Sequence, residues 1–128
     1  MCMIDYADDA PDIYRSRVQR ARNSYKCEEC SRDIKPGEHY HYAFMVYEKR
    51  GDHFRSCEHC AVAIDWLMTN CGGFAHGGVW EDYEEHIIEY PDIAASLMRL
   101  VVGRRRRWRR FDGTGLMRVP PMPKGIPA

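Results

Sequence analysis

Between His39 and Glu48 the polarity of the chain alternates, with Tyr40, Tyr42, Phe44 and Val46 on one face, and this predicts a half-buried strand. Lys49-Arg50-Gly51-Asp52 reads as a hairpin loop and His53–Ser56 as the return strand. The period then becomes helical. Ala61, Ile64, Trp66, Leu67 and Met68 supply the apolar positions of a helix that begins at the second cysteine pair and ends at Cys71-Gly72-Gly73, where glycine takes a left-handed cap. Val79–Tyr90 predicts a second helix with Val79, Tyr83, Ile87 and Tyr90 on one side. Pro91 breaks it, and a third helix follows over 92–102. Nearer the start, Ile13, Arg17 and Arg20, and Tyr14, Val18 and Ala21, recur at helical spacing behind Pro11, which predicts a helix over 11–23. Lys35-Pro36-Gly37-Glu38 is a turn signal. Asp112-Gly113 suits the turn of a small hairpin over 108–119, and the last residues are expected to be loose.

Cysteine spacing adds a metal site to this pattern. Cys27 and Cys30 form one Cys-x-x-Cys pair, Cys57 and Cys60 a second, with 26 residues between them. Two such pairs complete a tetrahedral four-cysteine set, which takes one structural zinc ion and leaves no open position for catalysis. The spacer exceeds the usual length of about 15–20 residues. The hairpin accounts for the excess, since it brings its second end back beside its first. Two redox pairs, an iron–sulfur centre or ordinary buried thiols are the competing readings. Cys71 reads as a small core residue at a helix end.

A knuckle, a hairpin and a helix that carries the second ligand pair resemble the treble-clef zinc fingers over about residues 25–71, with Cys27, Cys30, Cys57 and Cys60 as the ligands the resemblance implies. The stretch Cys27-x-x-Cys30-x-x-x-Ile34-x-Pro36-Gly37-Glu38-x-Tyr40 also resembles small zinc proteins of bacteriophage and prophage genomes. The expected fold is α+β: a zinc-binding domain over 1–103, with helices about 11–23, 79–90 and 92–102, followed by a basic tail over 104–128.

Charge divides the chain at the same place. Lys+Arg and Asp+Glu are 19 each, yet residues 1–103 hold 11 basic and 18 acidic side chains, while residues 104–128 hold 8 basic and 1 acidic. Arg104, Arg105, Arg106, Arg107, Arg109 and Arg110 surround Trp108, a combination that suits phosphate contact with base stacking on nucleic acid or a nucleoprotein complex. The arginines could instead fold back on the acidic helix, within one chain or across a homodimer, or meet an acidic protein. The acidic helix offers the other expectation, a protein-binding surface at Trp80, Glu81, Asp82, Glu84 and Glu85. That surface would suit an inhibitor or adaptor directed at a host protein, of the anti-CRISPR or anti-restriction kind.

Enzymatic activity is not expected. The treble clef also underlies His-Asn-His nucleases, and Asp52-His53 stands where those enzymes place their base. The following helix supplies only Asp65 and the terminal Asn70 as metal partners. His39 and His41 share a strand face but make only two ligands. Residues 1–10 lack a basic-then-apolar leader, and no apolar run reaches the length of a membrane span, so a cytoplasmic, membrane-free protein is expected, in a bacterial cell during phage infection.

Overall fold

A computed structural model describes residues 13–127. It contains strands β1 (Ile13–Arg20), β2 (Tyr25–Lys26), β3 (Asp33–Ile34), β4 (His39–Tyr47) and β5 (Arg50–Cys57). The helices are α1 (Cys60–Cys71), α2 (Val79–Glu89) and α3 (Ala94–Arg105), with a single 3-10 turn at Pro91–Ile93 ahead of α3. The architecture is a mixed α+β fold: a three-stranded antiparallel sheet, β1-β4-β5, a small β2-β3 ribbon and three helices. Among the described residues no helix is long and apolar enough to cross a membrane.

The segment expected as a helix over 11–23 is instead strand β1 over Ile13–Arg20, followed by a bend at Arg22 and Asn23; Pro11 and Asp12 lie outside the described residues, as does Cys2. β1 pairs with β4 from Ile13↔Val46 to Arg20↔His39. Nearly all of its side chains are exposed, so the usual period-2 alternation of burial is missing. The strand is held by its backbone ladder to β4, a non-local partner that spacing alone does not reveal. Among the described residues β1 and β5 are the two edges of this sheet.

The predicted hairpin is present with a tighter turn. Tyr47 pairs with Arg50, and the two loop residues, Glu48 and Lys49, both take positive φ, 48° and 69°. That is the two-residue geometry whose twist matches the strands, usually signalled by Asn-Gly and here built from Glu-Lys.

The helices pack on one another around Trp66, which meets Tyr83 edge-on at 5.5 Å and His86 edge-on at 5.1 Å. Leu97, Leu100, Val101 and Trp108 close the same core. Tyr83 donates to the Leu97 carbonyl at 2.9 Å, and its burial pushes the phenol well above its ordinary range.

The expected boundary after Gly103 falls inside α3, and the chain beyond it returns to the body. Trp66 Nε1 donates to the Lys124 carbonyl at 2.8 Å, Lys124 N–H to Ser96 Oγ at 2.9 Å, and Ile126 N–H to Asn70 Oδ1 at 2.8 Å. Pro123 is buried. The small hairpin forms around Asp112-Gly113, with Arg109 bridging Leu116 and Arg110 N–H bonding the Gly115 carbonyl at 2.9 Å.

The loop joining α1 to α2 lays His76 on the sheet. Its ring stacks on Phe54 at 4.6 Å, meets Phe74 edge-on at 4.6 Å and lies 6.2 Å from His41. Tyr14 Oη is 3.3 Å from its Nε2. Burial, then the neighbouring His41, lowers the His76 imidazole to about 4; burial also lowers His41, partly offset by Asp65. Depressed imidazoles stay neutral when folded and gain protons when unfolded. Their stabilisation is therefore present above the unfolded value of about 6.5 and declines as pH falls from there toward 4. His76→Phe should remove roughly 1–3 kcal/mol of the stability lost between pH 7 and pH 5. Urea midpoints of both proteins at both pH values measure this. The difference between them isolates the imidazole from other groups that take up protons in acid.

Candidate metal centre

Three parts of the fold deliver the cysteines. Cys27 and Cys30 sit in the turn joining β2 to β3, Cys57 ends β5, and Cys60 is the first residue of α1. All four are buried, and their Sγ atoms lie within 4.8 Å of one another. Cys30 and Cys57 Sγ are 3.8 Å apart. Backbone amides also point at sulfur: Cys57 N–H reaches Cys27 Sγ at 3.2 Å and Cys60 N–H reaches Cys57 Sγ at 3.4 Å. Such contacts favour thiolate.

The donor set fits a dication. Hydrogen bonds from Cys30, then Cys57 and Cys60, pull the Cys27 thiol far below its usual range, while burial pushes Cys57 and Cys60 up. Cys30 is lowered as well, because hydrogen bonds from Cys57 and Cys60 outweigh the opposing one from Cys27, so without a cation the four sulfurs are only partly ionised. A bound dication would hold all four ionised, and thiolate ligation at this geometry is what tetrahedral zinc requires.

A second layer of side chains surrounds the sulfurs. Buried Arg32 lies on this cluster, its Nη1 paired with Glu38 Oε1 at 3.0 Å. Burial opposes its charge, but the neighbouring Cys57 sulfur and Glu38 outweigh that and raise its pKa. Arg32 Nη2 is 3.3 Å from His59 Nδ1, and His59 Nε2 is 2.5 Å from the Met117 carbonyl. Those partners assign the proton to Nε2 and leave Nδ1 to accept from arginine. A zinc ion held by four thiolates would form a net anionic unit, so a buried guanidinium beside it offsets part of that charge.

Trp108 roofs the cluster. Its indole N–H points to Cys60 Sγ at 3.3 Å, and its ring lies 5.3 Å from His59 and 6.1 Å from Trp80. The chain reaches this position through Arg107 and Trp108, both with positive φ, 52° and 61°. Gly103 makes room, since a Cβ there would lie 2.2 Å from the indole.

No protein-family model, curated protein or solved structure matches the chain.

Several expected site residues stand elsewhere than anticipated. Trp108 is 1% exposed, so it offers no face for stacking on a base. Within the arginine run, Arg104 Nε approaches the Glu29 carbonyl at 3.4 Å, and Arg106 donates to the Arg109 and Arg110 carbonyls at 3.1 and 2.9 Å. Arg105, Arg107, Arg109 and Arg110 are exposed. Among the described residues, the carboxylate within ion-pair reach of this run is Glu84, 3.9 Å from Arg105, so the run does not fold back wholesale on the acidic helix. On α2, Trp80 and Asp82 are buried and cannot form a docking surface, whereas Glu81 and Glu85 are exposed and Glu84 is half-buried. Asp82 Oδ1 instead faces His86 Nδ1 at 3.8 Å.

The nuclease candidates do not converge. His53 lies beside Tyr42 and Phe44 on one face of the sheet, and Asp65 acts on His41, whose strand position faces the other way. Asn70 is committed to the Trp66 carbonyl and the Ile126 amide. Among the described residues, no acidic, cysteine or histidine group other than the four cysteines gathers closely enough to hold a metal. Sequence reasoning missed Arg32, His59 and Trp108 as the shell of the cluster; the His59 position inside Cys57-x-x-Cys60 was the one legible sign.

Proposed function

We propose that this is a non-enzymatic zinc protein whose four-cysteine cluster holds an arginine-rich turn for contact with nucleic acid, alone or within a nucleoprotein complex. The observation that carries the reading is the seat of Trp108 on Cys60, which anchors the middle of the arginine run to the metal centre and leaves Arg105, Arg107, Arg109 and Arg110 at the surface. One zinc ion is the metal this donor set favours. The order knuckle, hairpin, helix supports a treble-clef assignment. The resemblance of the first cysteine stretch to small phage zinc proteins supports a phage or prophage origin and a cytoplasmic site of action.

Four exposed guanidinium groups set the expected salt dependence. If all meet phosphates, log K falls against log salt with a slope of about −3.6 on duplex DNA and about −2.8 on single strands. Fluorescence anisotropy of the zinc-loaded protein at several salt concentrations measures it. Replacing Arg107, Arg109 and Arg110 by Gln should flatten the slope by about two to three units while leaving Trp108 in place. Salt-independent binding, or none, defeats the proposal.

A second reading keeps one favourable observation. Ile88 is 84% exposed on α2, the helix that also exposes Glu81 and Glu85. A protein target would meet this acidic surface, and capture of such a target by a protein that binds no nucleic acid would support it.

A further inference from the structure

We propose that the open face of the β1-β4-β5 sheet binds single-stranded nucleic acid, with Tyr42 and Phe44 taking base faces and Arg15, Arg17 and Arg55 taking phosphates. The inference rests on the nucleic-acid reading above but gives it a separate site.

The register builds this face in rows. Arg17 stands opposite Tyr42, and Tyr42 opposite Arg55; Arg15 stands opposite Phe44, and Phe44 opposite His53. Each row crosses all three strands and places an aromatic ring at its centre. The Arg17 and Arg55 guanidinium carbons each lie 5.6 Å from the Tyr42 ring centroid, and Arg55 lies 4.3 Å from that of Tyr25. His53 shares a hydrogen bond with the Tyr42 hydroxyl and lies 5.3 Å from Phe44. Arg15, Ser16, Arg17, Tyr42 and Phe44 line a groove of about 540 Å³.

Charge and shape select the occupant. None of the strand residues that alternation puts on this face is acidic. Arg15 and Arg17 are exposed, and the buried Arg55 Nε has no hydrogen-bond partner among the described residues. A polyanion is therefore favoured. The aromatic floor then separates a nucleic acid from an acidic peptide, because every base offers a flat π-face and a carboxylate chain does not. Tyr42 and Phe44, two residues apart on one strand, are spaced by about 6.7 Å, within reach of neighbouring unstacked nucleotides. A duplex hides its base faces in the stack, so the groove favours single strands.

The test uses full-length zinc-loaded protein and labelled mixed-sequence oligonucleotides: single-stranded DNA, single-stranded RNA and the matching duplex. Tyr42→Leu and Phe44→Leu keep apolar volume, and Arg15→Gln with Arg17→Gln removes charge without touching the floor; zinc content and circular dichroism establish that each folds. Each aromatic change should weaken single-strand binding by about 5- to 100-fold and duplex binding far less. The double arginine change should flatten the single-strand salt slope by about 1.4. Should either Leu variant fail to fold, the arginine pair carries the test. Single-strand binding that survives every sheet change but falls with the Arg107, Arg109 and Arg110 changes overturns this site and leaves the proposed function standing. Polyglutamate that competes as well as the oligonucleotide, and loses affinity with the same variants, also overturns it. Absence of any nucleic-acid binding overturns both.

Discussion

Stripping the metal from this protein should unfold it. The β2-β3 turn, the end of β5 and the start of α1 converge on four buried sulfurs, and without a cation those sulfurs hold only a partly ionised, mutually hydrogen-bonded set. Apparent binding energies of structural zinc sites, about 10–16 kcal/mol, match or exceed the whole stability of an ordinary domain, about 5–15 kcal/mol. Chelation, or Cys27→Ser or Cys57→Ser, should therefore erase tertiary structure rather than lower its melting temperature by a few degrees. Native mass spectrometry should find one zinc ion per folded chain, and near-ultraviolet circular dichroism should collapse when the ion is removed. A metal-free protein with an unchanged spectrum would refute this.

The second large effect lies at Trp108. Trp108→Ala removes a fully buried indole, its contacts with His59 and Trp80, and its hydrogen bond to the Cys60 sulfur. The expected loss is about 3–5 kcal/mol, measured as a shift in the urea midpoint. Zinc transfer to a chromogenic chelator should also accelerate, since Cys60 loses its cover. Trp108→Phe should recover much of the stability but less of the zinc retention, because it restores packing without the N–H. Gly103→Ala should act like Trp108→Ala, since its new methyl would occupy the position of the indole. Unchanged stability in Trp108→Ala would mean that the arginine run is not anchored at the cluster. A chain ending at Gly103 would likewise lose the roof, so it does not isolate the arginines from the fold.

The parts legible in the sequence are those whose signals are local. Cys27, Cys30, Cys57 and Cys60 announce their cluster by spacing, and the helical period of α2 reports a face that is in fact buried or partly buried. The alternation from Tyr40 to Val46 marks the strand but not its inner side, since Ala43 and Met45, on the face opposite Tyr42 and Phe44, are the buried positions at its centre. β1 is illegible for the converse reason. Both of its faces are solvated, and Ile13, Tyr14 and Val18 fall at separations that a helix also produces. Trp108 misleads because its neighbours are arginines, and the reversal that carries it inward uses left-handed Arg107 and Trp108, which no residue preference advertises. The return of 117–126 depends on pairings with His59, Trp66, Ser96 and Asn70 far back along the chain. Composition alone places Trp80 and Asp82 at a surface, whereas the packing of α2 against α1 and α3 turns them inward.

The edge position of β1 bears on self-association. Among the described residues no strand pairs with the outer side of β1, and an eight-residue edge strand is a template on which a second copy could stack. Two such strands meeting antiparallel with like faces aligned, centred on Arg15, Ser16 or Arg17, would set Arg15 against Arg15, Arg15 against Arg17, or Arg17 against Arg17 at the closest cross-strand distance. A slip by one residue relieves that clash only by turning the arginine face of one copy to the side opposite that of the other. The same guanidinium groups that line the groove thus act as gatekeepers against edge-to-edge fibril growth.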